Sequence, residues 1–176
     1  MAKPTFHCKL AKTEREIDAY FQLRQAIFCE EQQLFTGSDR DKIDLQAYPI
    51  VAIAVQPAGE ESIVGVVRIY ETQPGYWYGG RLGVHRDFRR RGRIGKQLIE
   101  KAVTTANAWG CQQFLATVQL QNVRFFQRLH WASVEEITIC DRPHHLMAAD
   151  LAFYPPTQEI RPTQPPLLVT SLVTSG

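Results

Sequence analysis

Apolar and polar positions change their period several times along the chain. Phe6 to Leu10 alternates weakly, the pattern of a short first strand. From Thr13 the spacing turns helical, with Ile17, Tyr20, Phe21, Ile27 and Phe28 on one face. Thr13-Glu14-Arg15-Glu16 has the form of a capping box, whose hydroxyl and carboxylate satisfy the free N–H groups of a helix start. Cys29-Glu30-Glu31-Gln32-Gln33 closes that helix, and polar Thr36 to Gln46 predicts a loop or a short second helix. Three strand patterns follow. Pro49 to Val55 is almost wholly apolar, Ser62 to Tyr70 carries Ile63, Val64, Val66, Val67 and Ile69, and Tyr76 to Val84 is aromatic and then glycine-rich. Breakers at Pro57-Ala58-Gly59 and Gln73-Pro74-Gly75 predict an antiparallel meander.

Ile94, Leu98, Ile99, Ala102, Val103 and Ala106 then repeat at helical spacing, and Gly110 sits where a glycine would stop the helix. Phe114 to Leu120 reads as a strand and Val123 to His130 as a short helix. Ser133 to Cys140 and His145 to Leu151 form a last strand pair around Asp141-Arg142-Pro143. The predicted order is β-α-(α)-β-β-β-α-β-α-β-β, an α/β (α+β) domain over residues 1–154. Residues 155–176 break the pattern, because five of the ten prolines lie there (Pro155, Pro156, Pro162, Pro165, Pro166). They read as a Pro-rich C-terminal tail outside the core. Its apolar run from Leu167 to Val173 suits docking on the domain or on a partner.

Composition narrows the class. A chain of 176 residues, 44% apolar and 22% charged, fits one ordinary domain with its own core. A net charge of +2 implies no nucleic-acid binding on its own, and no aromatic-and-basic stripe adds to it. No apolar run approaches the roughly 20 residues of a membrane span. Met1 to Thr5 lacks the apolar run of a signal peptide. A cytoplasmic protein that binds neither nucleic acid nor membrane is therefore expected. Cys8, Cys29, Cys111 and Cys140 make no CxxC pair, so they are expected to be reduced, buried thiols, and no metal is expected.

Chemistry concentrates between the strand ending at Val84 and the helix opening near Arg93. A helix N-terminus presents unpartnered N–H groups and a partial positive charge, and glycine lets a phosphate approach that backbone. Gly92 and Gly95 supply the space, while Arg89, Arg90, Arg91, Arg93 and Lys96 supply cations. The segment suits a pyrophosphate or another polyanion. It is not a Walker loop, because Gly92-Arg93-Ile94-Gly95-Lys96-Gln97 has the wrong spacing and ends in Gln. The Gly-x-Gly-x-x-Gly of a Rossmann loop is absent. A solvated basic turn and a nucleic-acid phosphate contact are the alternatives.

Arg81-Leu82-Gly83-Val84 through Arg89-Arg90-Arg91-Gly92 resembles the central motif of the GNAT superfamily of N-acetyltransferases, a strand ending in Val followed by Arg-x-x-Gly-x-Gly/Ala at a helix start. Asn122-Val123-Arg124-Phe125-Phe126 through Trp131 resembles its second motif. Leu23-Arg24, Phe28 and Glu30-Glu31-Gln32 resemble a first-helix string of some members, and Pro143-His144-His145-Leu146-Met147 a terminal strand. The resemblance spans residues 5–153, and the set also resembles a bacterial subgroup linked to nitrogen starvation. Two departures stand out. Counted from Val84, Gly92 is in register but Gly95 is one position late. Counted back from Leu98, Gly95 fits and Arg93 stands where a glycine belongs. A bulge of one residue reconciles the counts. Phe126 occupies a position where many members have a tyrosine that protonates the CoA thiolate.

The resemblance implies a mixed, mostly antiparallel sheet of six to seven strands flanked by about four helices, with two neighbouring strands splayed apart. It implies acetyl-CoA as co-substrate and a small-molecule amine acceptor, and it leaves a homodimer open. Leu82, Gly83 and Val84 would pair with the pantetheine and polarise the thioester through a backbone N–H near Val84. The pyrophosphate would sit on Arg89, Arg90, Arg91, Gly92, Arg93, Ile94, Gly95 and Lys96, with Asn122 and Phe126 beside the cofactor. Glu71 and His144 are the candidate general bases, and Glu30 and Glu31 could bind a cationic acceptor. A catalytically weak acyl-CoA-binding sensor is the alternative function.

Overall fold

A computed structural model describes residues 2–90 and 93–167. Seven strands form one sheet: β1 Thr5–Leu10, β2 Tyr48–Val55, β3 Glu61–Gln73, β4 Tyr76–Val84, β5 Gln113–Gln119, β6 Trp131–Ile139 and β7 Arg142–Ala149. Their order is β1-β2-β3-β4-β5-β7-β6, and every pair is antiparallel except β4 with β5. A parallel pair needs a crossover, and α2 (Ile94–Ala108) supplies it between them. The sequence pattern places the strands within a few residues of these bounds. It does not reveal that β7 lies between β5 and β6.

Two cores flank the sheet. On one face α2 buries Ile94, Leu98, Ile99, Val103 and Ala106 against Ile50, Ala52, Val64 and Ile69. Gly65 allows that approach: a Cβ there would lie 2.8 Å from Leu98 Cδ1 and 3.1 Å from Ala52 Cβ. On the other face α1 (Glu14–Arg24) buries Tyr20, Phe21 and Leu23 against Val51, Ile53 and Val66. Its start carries the expected capping box, Thr13 accepting from the Glu16 N–H and Glu16 from the Thr13 N–H. The helix then continues as a π-helical turn, Gln25–Glu31, which delivers Ile27 and Phe28 to the same core. Among the described residues there are three α-helices, counting α3 (Val123–Arg128).

The expected loop at Thr36 to Gln46 ends in a 3-10 turn, Lys42–Leu45, and carries a buried ionic network. Arg24, fully buried, donates to Asp39 at 2.7 Å and to Asp44 at 2.6 Å. Arg68 of β3 donates to Asp41 and Asp44, and Arg81 of β4 to Asp39. The network thus fastens α1 and the loop to the strands that carry the site.

The tail does not stand apart. Arg161 lays its guanidinium over Tyr48, Trp77 and Trp109, 5.0 Å from the Trp77 ring centre, and donates to Glu71. Trp109 donates to the Glu159 carbonyl, and Asn107 to that of Tyr154. Residues 168–173 of the apolar run lie outside the described residues. All four cysteines are free, but only Cys111 is buried; Cys8 and Cys29 are half-buried and Cys140 is exposed. Their expected burial is corrected accordingly, because Cys140 falls on the β6–β7 turn.

Burial pushes the Asp44 carboxyl pKa up, but the hydrogen bond and charge of Arg24 outweigh it and hold the value below the usual range. Asp41 is lowered in the same way by Arg68. A lowered carboxyl contributes stability that is fully present above the unfolded pKa of about 3.9 and is lost as pH falls through the native value. Urea midpoints should therefore hold down to about pH 4 and fall below it. Arg24→Met should cost about 3 kcal/mol at neutral pH, because buried Asp39 and Asp44 each lose one of two arginine partners and keep only Arg81 and Arg68 respectively. A loss under about 1 kcal/mol would show that the network does not hold the loop.

Candidate active site

β4 and β5 are hydrogen-bonded partners over three positions, Tyr76↔Gln113, Trp77↔Phe114 and Tyr78↔Leu115. Beyond Tyr78 they part, and β5 keeps only β7, through Gln119↔His144. The parted edges expose backbone groups that no neighbouring strand satisfies, a template for an extended ligand.

The cause lies in β4. Its pairing with β3 steps from Arg68↔Gly80 to Val66↔Gly83, so Arg81 and Leu82 together oppose Val67. That is a β-bulge, and Arg81 takes a left-handed φ of 52° within it. Arg81 is held there by Asp39, through Nε at 3.1 Å and through the Asp39 carbonyl at 2.8 Å. Past the bulge Gly83 meets the π-helical turn: a Cβ there would lie 2.9 Å from Ile27 Cδ1 and 3.3 Å from Phe28 Cζ. Only glycine lets β4 pass under that turn. Leu82 and Val84 face the α2 core, half-buried.

The His85 N–H donates to the Val64 carbonyl at 2.8 Å. Antiparallel pairing alternates, so Gly83 and His85 turn their backbone groups to β3 while Val84 turns its own to the split. Arg89 Nε donates to that Val84 carbonyl at 3.0 Å. Arg89 also binds both oxygens of Glu31, with Nη1 2.9 Å from Oε2. Glu31 is thus committed to an arginine, and not left free for a cationic acceptor as the sequence suggested.

α2 opens on Arg93, whose φ of 52° and ψ of 45° are left-handed and whose side chain makes no cap. The position that counting from Leu98 marks for glycine therefore takes a glycine-like conformation. Ile94 is buried, while Gly95 and Lys96 begin the helix with no acidic residue in its first turn. Lys96 lies 3.8 Å from Glu100, and Arg90 and Arg93 are exposed. Arg91 and Gly92 lie outside the described residues. The second motif comes alongside: the Phe125 ring is 3.7 Å from where a Gly95 Cβ would stand. Asn122 is exposed at the head of α3. Phe126 is buried edge-on against Trp131, with ring centres 5.1 Å apart.

The two base candidates separate. Glu71 opposes Trp77, at the closed end of the split. Trp77 to Val84 spans roughly 23 Å of strand. Its carboxylate accepts from the Gly75 N–H and from Arg161. Glu71 therefore organises the β3–β4 turn and the tail, and the structure does not bring it to the split. His144 is buried on β7 opposite Gln119, where β5 has left β4. Its Nδ1 lies 2.9 Å from the Arg142 carbonyl, which can only accept. A neutral His144 then carries its proton on Nδ1 and keeps Nε2 as the basic nitrogen. Between them Tyr70 and Tyr78 stack, 5.7 Å apart at 15°, on the face that also carries Arg68. Among the described residues no cluster of His, Cys, Asp or Glu could hold a metal ion. No helix there is long and apolar enough to cross a membrane.

Residues 17–131 match the Acetyltransferase (GNAT) family. The chain belongs to that family. It is an acyl-CoA-dependent N-acyltransferase by membership, and solved structures share its fold. Escherichia coli ElaA superposes with a TM-score of 0.69 at 23% identity, over 84% of this chain and 99% of that one. An acyl-CoA N-acyltransferase from Pseudomonas aeruginosa gives 0.66 at 23%, over 83% and 99%. The CoA-dependent acyl-homoserine lactone synthase BjaI, solved with SAM and isopentyl-CoA, gives 0.65 at 17%, over 96% and 99%. No curated protein matches in sequence. At these identities the structural likeness speaks for the fold.

Arg93→Gly should stabilise the ligand-free protein by up to about 1 kcal/mol, because a left-handed L-residue costs about that much and glycine does not. A lowered urea midpoint would mean that the Arg93 side chain contributes more than its backbone strain costs.

Proposed function

We propose that this chain transfers an acetyl group from acetyl-CoA to a primary amine of a small-molecule or amino-acid-like acceptor. The observation that carries the proposal is the open edge of β4, with the Val84 backbone facing the split and a short basic segment leading from it to a cationic helix start. A pantetheine arm can add to that edge as a strand does. Its pyrophosphate then reaches the free N–H groups at the head of α2, among Arg90, Arg93 and Lys96. BjaI, of like fold, was solved with an acyl-CoA bound, which supports the same use here.

The amine enters from the α1 face of the parted sheet, past Tyr70 and Tyr78. His144 Nε2 takes the proton of the ammonium form, and the free amine attacks the thioester carbonyl carbon. A backbone N–H of β4 near Val84 stabilises the developing oxyanion, and the C–S bond then breaks. Phe126 has no proton to give, so the CoA thiolate takes one from water or from the attacking nitrogen.

Millimolar CoA should raise the melting temperature of the protein, since a ligand of the native state stabilises it by about 2.7 kcal/mol at 100 times Kd. An unmoved transition would remove CoA as the ligand. With acetyl-CoA and an amine library, free thiol should accumulate. Silence across the library with CoA binding intact would instead favour an acyl-CoA-binding sensor. His144→Gln should cut kcat about 100-fold or more with CoA affinity unchanged. A kcat near wild type would assign the base elsewhere.

A further inference from the structure

Arg89 stands among the phosphate-site cations by sequence, yet its guanidinium is spent on two other partners. Nε donates to the Val84 carbonyl, and Nη1 and Nη2 face the two oxygens of Glu31. Both side chains are partly exposed, 41% for Arg89 and 32% for Glu31. An exposed ion pair contributes little stability, so the consequence of this one is geometric. Three N–H groups of one planar fork are committed together, and that fixes where the fork points. The Glu31 carboxyl is held below the usual range first of all by the hydrogen bond from Arg89.

The capped carbonyl faces the split. An extended ligand pairing along β4 finds the Val84 N–H free for it but the Val84 carbonyl already taken. Strand-like pairing has to end there, and the chain of the ligand has to leave the sheet toward the head of α2. We infer that Arg89, oriented by Glu31, is a positioning residue that sets the register of the pantetheine arm on β4. The inference rests on the CoA reading above. It also explains why Glu31 comes from the π-helical turn: the same turn presses Ile27 and Phe28 onto Gly83, one residue before the capped carbonyl.

A direct phosphate role for Arg89 predicts something different. Freed from Glu31, the arginine would then bind CoA better. The test measures the affinities of wild type, Glu31→Gln, Arg89→Gln and the double variant by calorimetry. The probes are CoA and 3′-phospho-ADP, the nucleotide half of CoA that lacks the arm. Each single variant should weaken CoA about fivefold, the worth of one ordinary hydrogen bond. The double variant should be no weaker than either single, since the pair acts as one unit. Binding of 3′-phospho-ADP should not change. Ligand-free melting temperatures near wild type would show that the variants fold. The inference is overturned if Glu31→Gln tightens CoA, if Arg89→Gln weakens 3′-phospho-ADP as much as CoA, or if neither variant changes CoA affinity. A wild type that binds neither probe overturns the functional reading and this inference together.

Discussion

Everything at the site depends on the parting of β4 from β5. Two parallel strands that share a turn of hydrogen bonds at one end would ordinarily continue to pair, since each buried N–H and C=O needs a partner. Here the pairing stops at Tyr78↔Leu115 because β4 is deformed. The extra residue at Arg81 bends the strand, and the π-helical turn bears on Gly83 immediately afterwards. Both deformations are held from the α1 side, Arg81 by Asp39 and Gly83 by Ile27 and Phe28.

That arrangement gives the buried Arg24–Asp39–Asp44–Arg68 network a role in function as well as in folding. Asp39 binds Arg24 of α1 and Arg81 of the bulge at once. The loop carrying it crosses the same face of the sheet from which an acceptor would enter. Replacing such a network with apolar residues can leave stability unchanged, so stability alone is a weak reason for its presence. Holding a left-handed arginine in the middle of a strand is a more specific one, in keeping with strain that gathers at functional sites. At the opposite end of β4, Glu71, Gly75 and Arg161 close the hairpin and pin the tail across Tyr48, Trp77 and Trp109. The strand is anchored at its closed end and deformed at its open one.

Much of this was legible in the chain itself. Strand and helix periods, the Thr13–Glu16 capping box, the hairpin breakers and the stop at Gly110 are short-range features. The chemistry behind them acts within a few residues. The basic, glycine-containing segment after Val84 belongs with them, and so does the one-residue slip that put Arg93 at a glycine position. The family could therefore be read from contiguous residues. The family match over residues 17–131 agrees with that reading.

What the sequence could not determine depends on which distant residues meet. Nothing near Glu31 announces Arg89, 58 positions away, or ties Glu71 to Arg161, 90 positions away. Both carboxylates looked available for chemistry because a charge without a visible partner looks free. The tertiary structure decided that each is already paired, and that Arg89 serves a backbone carbonyl. It also placed His144, on β7 next to β5 and bonded through Nδ1, on the open side of the split. The physical reason is common to all of these. Local periodicity fixes which face a residue occupies on its own element, whereas ion pairs and hydrogen bonds depend on how separate elements are brought together by packing.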